Sequence, residues 1–135
     1  MLPCGGTVNL QYSRREEAFR YQFPTPLKGE FQITKINGKK VESSIGKLDI
    51  FDISLHGAKV YTEFDFQIGE NEIELTLNFC IKKLYFSIPG TVVYQGRYGG
   101  DFVCGIHLNT DEKTRAQITN ELKAFAWELV RKEKV

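Results

Sequence analysis

The 135-residue chain has few of the residues that carry catalysis, metal binding or cross-linking. Its cysteines are Cys4, Cys80 and Cys104, an odd number with no C-x-x-C and no Cys/His ligand spacing, which excludes a disulfide framework and the common zinc sites. Its two histidines, His56 and His107, have no nucleophile or metal-spaced partner in sequence. No glycine-rich phosphate loop and no paired-carboxylate motif appears, so we expect no enzyme, no catalytic residue, no metal and no cofactor. No apolar run approaches the roughly 20 residues of a membrane span, and membrane insertion is not expected. Met1-Leu2-Pro3-Cys4 lacks the basic start and long apolar core of a secretory signal, which points to the cytoplasm. Net charge is only +1, so binding to long nucleic acid is not implied. The sequence does not tell whether the chain is a piece of a longer protein.

The hydrophobic content of 41% and the length suit one domain with a core of its own. Charge is uneven: residues 1–60 carry nine Lys/Arg against six Asp/Glu, and residues 61–135 nine against eleven. A compact anion would be drawn to the first half.

Periodicity predicts mostly strands. Phe31 to Ile36 runs into Asn37-Gly38 and then Lys39-Lys40-Val41, the composition of a tight hairpin. Glu72 to Phe79 alternates strictly, with Ile73, Leu75, Leu77 and Phe79 on one face. Leu84 to Ile88 continues that period, Pro89-Gly90 reads as a bulge or bend, and Thr91 to Tyr94 resumes it. Gly96 to Gly100 reads as a turn, and Phe102, Cys104, Ile106 and Leu108 form a last strand. In these strands Cys80 and Cys104 are expected to be buried thiols acting as small hydrophobes. Short antiparallel strands with turn punctuation indicate a small barrel or sandwich. From about residue 111 to 132 the period becomes helical, with Asn109 or Asp111 as cap and Ile118, Leu122, Phe125 and Leu129 as the buried stripe. Trp127 lies nearly opposite Ile118 on that helix. It is expected either under the amino-terminal segment Leu2 to Tyr12 or partly exposed, and in the second case it suits a partner protein or a homodimer contact.

Two elements in the basic half carry ligand chemistry. The first is an arginine cluster, Arg14, Arg15 and Arg20; a guanidinium grips phosphate oxygens or the O6/N7 edge of guanine with a planar fork and stacks on purines. The second is Asp52-Ile53-Ser54-Leu55-His56-Gly57. Asp52 can accept the N1 and N2 donors of a guanine, Ser54 offers a rotatable donor and acceptor, and Gly57 permits a positive φ or a close backbone approach. The plain alternative is a strand-to-strand turn in which Asp52 and Ser54 bond local backbone and Gly57 closes it.

Together, in this order, the two elements resemble the PilZ family, known for R-x-x-x-R followed by D/N-x-S-x-x-G. Asp52, Ser54 and Gly57 match the second motif in full. The first departs: Arg14 is followed four residues on by Ala18, Arg15 by Phe19, and Arg15 and Arg20 are one residue too far apart. Five residues of separation would put two side chains on opposite faces of a strand, whereas a loop, which polar Ser13 to Ala18 favours, lifts that constraint. The resemblance implies a mainly β fold, a six- to seven-stranded antiparallel barrel of PilZ type with one C-terminal helix, preceded by an arm over residues 1–13, the domain being 14–135. It implies a cyclic di-GMP receptor in which Arg14, Arg15 and Arg20 clamp the ligand from the arm and Asp52, Ser54 and Gly57 hold it from the barrel. Ordering of the arm would relay the signal to an effector protein in motility, exopolysaccharide or biofilm control. The alternative is a PilZ-like adaptor that has lost the nucleotide and acts through Trp127 and other protein contacts.

Overall fold

The alternating patterns become strands in a computed structural model, which describes residues 20–133. In chain order these are β1 (Arg20–Ile36), β2 (Lys39–Lys40), β3 (Gly46–Ser54), β4 (Gly57–Thr62), β5 (Ile73–Ile81), β6 (Leu84–Tyr98) and β7 (Asp101–Leu108), followed by helix α1 (Glu112–Glu133). Neighbours run β2-β1-β3-β4-β7-β6-β5, and β5 also pairs with β1. Every pairing is antiparallel, so six strands close into a ring with β2 as an appended hairpin arm. This is the mainly β barrel with one C-terminal helix that the sequence indicates.

The hairpin between β1 and β2 follows from Asn37-Gly38, whose φ angles of 53° and 81° are both in the left-handed region that this two-residue turn demands. In β5, Ile73, Leu75, Leu77 and Phe79 all face the core, none more than 3% exposed.

Three sequence expectations are corrected. The β5 ladder runs through Thr76↔Pro89 and Leu75↔Gly90 without a break, and the irregularity lies further on, between Val92 and Tyr94. Gly90 is instead where β6 passes from β5 to β7: a Cβ there would stand 2.8 Å from Ile106 Cγ2 and 2.9 Å from the His107 carbonyl oxygen. The following turn is only Gly99-Gly100, since β6 stays paired to Tyr98↔Asp101. Cys80 is exposed, on the outward phase of β5, with its Sγ 3.4 Å from the Lys82 carbonyl oxygen. Cys104 is buried as expected, and burial followed by the nearby Asp65 charge pushes its thiol up to about 11.

Different side chains stopper the two ends of the barrel. At one, Phe66 from the β4–β5 connection is 2% exposed and meets the rings of Phe31 and Phe64 at 5.2 and 4.9 Å. The Gln95 side chain staples this connection, accepting from Phe66 N–H at 3.0 Å and donating to the Phe64 carbonyl at 3.1 Å. At the other end lies α1. Asp111 is its cap, with Oδ1 accepting the Thr114 N–H at 2.8 Å; hydrogen bonding from the Thr114 side chain, and then from its backbone N–H, holds the Asp111 carboxyl below its usual range. Ile118 and Leu122 are buried, and Phe125 meets Phe23 and Tyr21 edge-on at 5.9 and 6.1 Å. A Lys82–Glu128 ion pair at 2.8 Å ties the far half of the helix to the β5–β6 turn. Among the described residues no helix is long and apolar enough to cross a membrane.

Candidate functional site

The end of β3 nearest the helix carries the site. Against β4 the register slips between Ile50 and Asp52, leaving Phe51 as an extra residue. Against β1 the ladder jumps from Gln22↔Asp52 to Leu27↔Ile50, and residues 23–26 arch out between. Pro24 and Pro26 fall inside that arch, where no ladder donor is lost. Beyond the irregularity Asp52, Ile53 and Ser54 are all buried, at 8%, 0% and 3% exposure. Ile53 belongs to the core cluster, and strand alternation places Asp52 and Ser54 on the opposite face.

Arg20, the first residue of β1, has its Cα opposite that of Ser54. Its Nη1 donates to Asp52 Oδ1 at 2.6 Å, a short charge-assisted bond spanning 32 positions of sequence. The Asp52 side chain is 11% exposed and the Arg20 side chain 53%, so the acid is fixed inside while the arginine presents part of its surface to solvent. Ser54 Oγ donates to the Gly57 carbonyl at 3.3 Å, closing the turn at Leu55-His56. The Leu108 N–H donates to the His56 carbonyl at 2.8 Å and binds the turn to β7.

The motif is thus two strand residues and a turn, and Ser54 makes the local bond of the plain turn reading. Asp52 makes a long-range one. Gly57 does not use the left-handed freedom, since the glycines with positive φ among the described residues are Gly38 and Gly99. Its service is close approach: a Cβ would lie 3.3 Å from the Ile106 carbonyl oxygen and 3.8 Å from Ser54 Oγ.

The helix supplies what the sequence motifs did not show. Arg115, Ile118, Thr119 and Leu122 face Ser54 and Leu55 across a crease too tight to admit water. Arg115 is aimed by its own hydrogen bond to the Thr110 carbonyl at 2.6 Å. The helical stripe named Ile118 and Leu122, but nothing in sequence linked them to residue 54. Arg20, Asp52, Ser54 and Gly57 are brought together, whereas Arg14 and Arg15 lie outside the described residues. Trp127 contributes nothing to the crease. It is 61% exposed on the distal half of α1, as the helical phase requires.

A nearly buried carboxylate, the guanidinium of a half-exposed arginine and a hydroxyl close together form a set of acceptors and donors suited to the polar edge of a heterocycle and to an anion beside it. A family model described as PilZ domain matches residues 13–124, which contain both arginine-bearing and acidic elements. The chain is similar in structure to the PilZ domain with c-di-GMP of YcgR from Escherichia coli, with a TM-score of 0.65, 13% identity, and coverage of 90% of this chain and 98% of that one. No curated protein matches it.

Proposed function

The chain belongs to the PilZ domain family, and on that premise we propose that it is a non-enzymatic receptor for cyclic di-GMP. The observation that carries the reading is the Arg20–Asp52 contact beside Ser54 and Gly57, because it joins the arginine cluster and the acidic motif into one surface. The structurally similar PilZ domain of YcgR, a structure with c-di-GMP, supports the same ligand.

In this reading Asp52 accepts from the guanine N1 and N2 donors and Ser54 adds a further polar contact. The exposed part of Arg20 grips a phosphate or the O6/N7 edge, joined by Arg14 and Arg15. The missing Cβ of Gly57 lets the ring settle close to the turn. Since Asp52 and Ser54 are buried, binding requires rearrangement at this end of the barrel. That rearrangement is the signal: the arm over residues 1–13 orders on the ligand and creates a surface for an effector protein. Such a relay, acting in the cytoplasm, suits control of motility, exopolysaccharide synthesis or biofilm formation.

The same burial favours a second reading, in which the crease is closed for good and the domain is a nucleotide-independent adaptor, with Trp127 as a contact residue. Calorimetric titration separates the two. The receptor gives saturable heat with cyclic di-GMP that is lost in Arg20→Ala and Asp52→Ala proteins. Absence of heat from the parent protein at high ligand concentration sinks the receptor reading.

A further inference from the structure

Strand β6 is longer than the neighbour on one of its sides. Its ladder to β5 ends at Glu74↔Thr91, whereas its ladder to β7 continues to Tyr98↔Asp101. From Val93 onward, among the described residues, β6 has a strand partner on one side only. Tyr98 and Asp101 flank the two-residue Gly99-Gly100 turn as a hydrogen-bonded pair, so alternation directs the N–H and C=O groups of Gln95 and Arg97 away from β7. An unpaired row of this kind is a template for an added strand.

The space beside the row is shaped for one. A groove of about 450 Å³, the size of a ligand cleft, runs between this edge and the β4–β5 connection, with Asp65 and Ile68 on one wall and Val93, Tyr94 and Arg97 on the other. The wall is preformed. The Gln95 side chain staples the facing connection, and the Tyr94 ring lies flat over Gly105, where any Cβ would collide with it. Val93 and Tyr94 remain 58% and 48% exposed. The β4–β5 connection, which forms one wall, is acidic in sequence: residues 63–72 carry Glu63, Asp65, Glu70 and Glu72 with no Lys or Arg, and Asp65 lines the groove itself. The one cation of the groove wall, Arg97, has its guanidinium over the Phe102 ring at 5.3 Å.

We propose that the open edge of β6 from Val93 to Arg97, with the acidic groove beside it, docks an extended cationic segment of a partner protein as an additional strand. Backbone bonds to Gln95 and Arg97 hold the segment, aliphatic side chains cover Val93 and Tyr94, and lysine or arginine side chains meet Glu63 and Asp65. This site is separate from the nucleotide site. Gly57 pairs with His107 at one end of β7 and the groove meets Phe102 near the other, five residues or about 17 Å along the strand.

The test uses the whole chain without nucleotide, so its outcome does not depend on the cyclic di-GMP reading. The probe is a heptapeptide alternating lysine and valine, titrated into isotope-labelled protein, with amide exchange read by NMR. We expect shifts confined to residues 65–69 and 93–97, at least tenfold slower exchange of the Gln95 and Arg97 amides, and several-fold weaker binding to a Glu63→Lys variant. The same peptide N-methylated at alternate residues keeps its side chains but loses its donors, and should not bind. The proposal is overturned if the parent peptide leaves those amides unprotected or if the N-methylated peptide binds equally. Protection that grows with protein concentration and needs no peptide assigns the edge to a second copy, and likewise overturns it.

Discussion

Removing Arg20 and Asp52 singly and together measures how firmly the arginine element is fastened to the barrel. The contact is 2.6 Å, with the Asp52 side chain 11% exposed and the Arg20 side chain 53%. Fully exposed ion pairs couple by roughly 0.2–1 kcal/mol, while hydrogen bonds to charged groups contribute roughly 1.5–3 kcal/mol. One member is half exposed and the other nearly buried, so the coupling falls between these, at about 1–2 kcal/mol. The double-mutant cycle is the right instrument because it cancels whatever else each residue touches. Parent, Arg20→Ala, Asp52→Ala and the double variant would be unfolded in urea and followed by far-ultraviolet circular dichroism at 0.1 M salt. Repeating the cycle at 1 M salt should lower the coupling only in part, since a contact pair with one buried member is screened less than an exposed one. A coupling below about 0.3 kcal/mol would show that Asp52 does not position Arg20, and would remove the observation on which the receptor reading stands.

Two glycines, one at the site and one at the β5–β6–β7 junction, give an internal contrast: Gly90→Ala should cost about 1–3 kcal/mol by overpacking against Ile106 and the His107 carbonyl, read as a lower urea midpoint. Gly57→Ala, with 3.3 Å to its nearest neighbour and no positive φ, should alter stability by less than about 1 kcal/mol yet weaken cyclic di-GMP binding in calorimetry; equal binding by this variant removes the close-approach role. Asp111→Ala should destabilise the protein through loss of the helix cap, read as a lower urea midpoint. Because the folded-state pKa of Asp111 is lowered, its contribution is present above the ordinary carboxylate value of 3.8 and disappears as pH falls through the folded value, so parent and variant should converge in strongly acidic urea titrations. In a Cys4→Ser background at neutral pH, iodoacetamide should label exposed Cys80 and spare Cys104, whose thiol is buried and pushed up to about 11; rapid double labelling of folded protein contradicts that burial.

What the sequence discloses here depends on whether the cause is local. The Asn37-Gly38 turn, the inward phase of Ile73 to Phe79 and the capped helix are set by neighbours in the chain, and each is legible. Strand β1 is less so, because Pro24 and Pro26 read as breakers until the register jump beside Phe51 explains how the strand carries them. That jump also buries Asp52 and Ser54, which by sequence alone belong to a polar turn. The chemistry of the motif was readable from residue type, but its partner stands 32 positions earlier and its cover comes from Thr119 and Leu122 far downstream. Phe66, which plugs one end of the barrel, stands in the alternation Phe64, Phe66, Ile68, a period that suits a strand although the segment is a connection, so its role as a plug is set by the rings of Phe31 and Phe64 and not by its pattern. The open edge of β6 arises from the unequal lengths of two ladders, a property of pairing that no single segment encodes.

Closure of the ring couples function to completeness of synthesis. Strand β4, which begins at Gly57 and pairs with the strand that holds Asp52 and Ser54, gains its second flank only when β7 arrives some fifty residues behind Asp52, and β1 must wait for β5. Contacts of such long sequence separation make assembly slow and all-or-none, so a nascent or truncated chain that stops short of Asp101 offers raw strand edges instead of a half-built sensor. On the proposed function, the messenger would therefore be registered only by finished molecules.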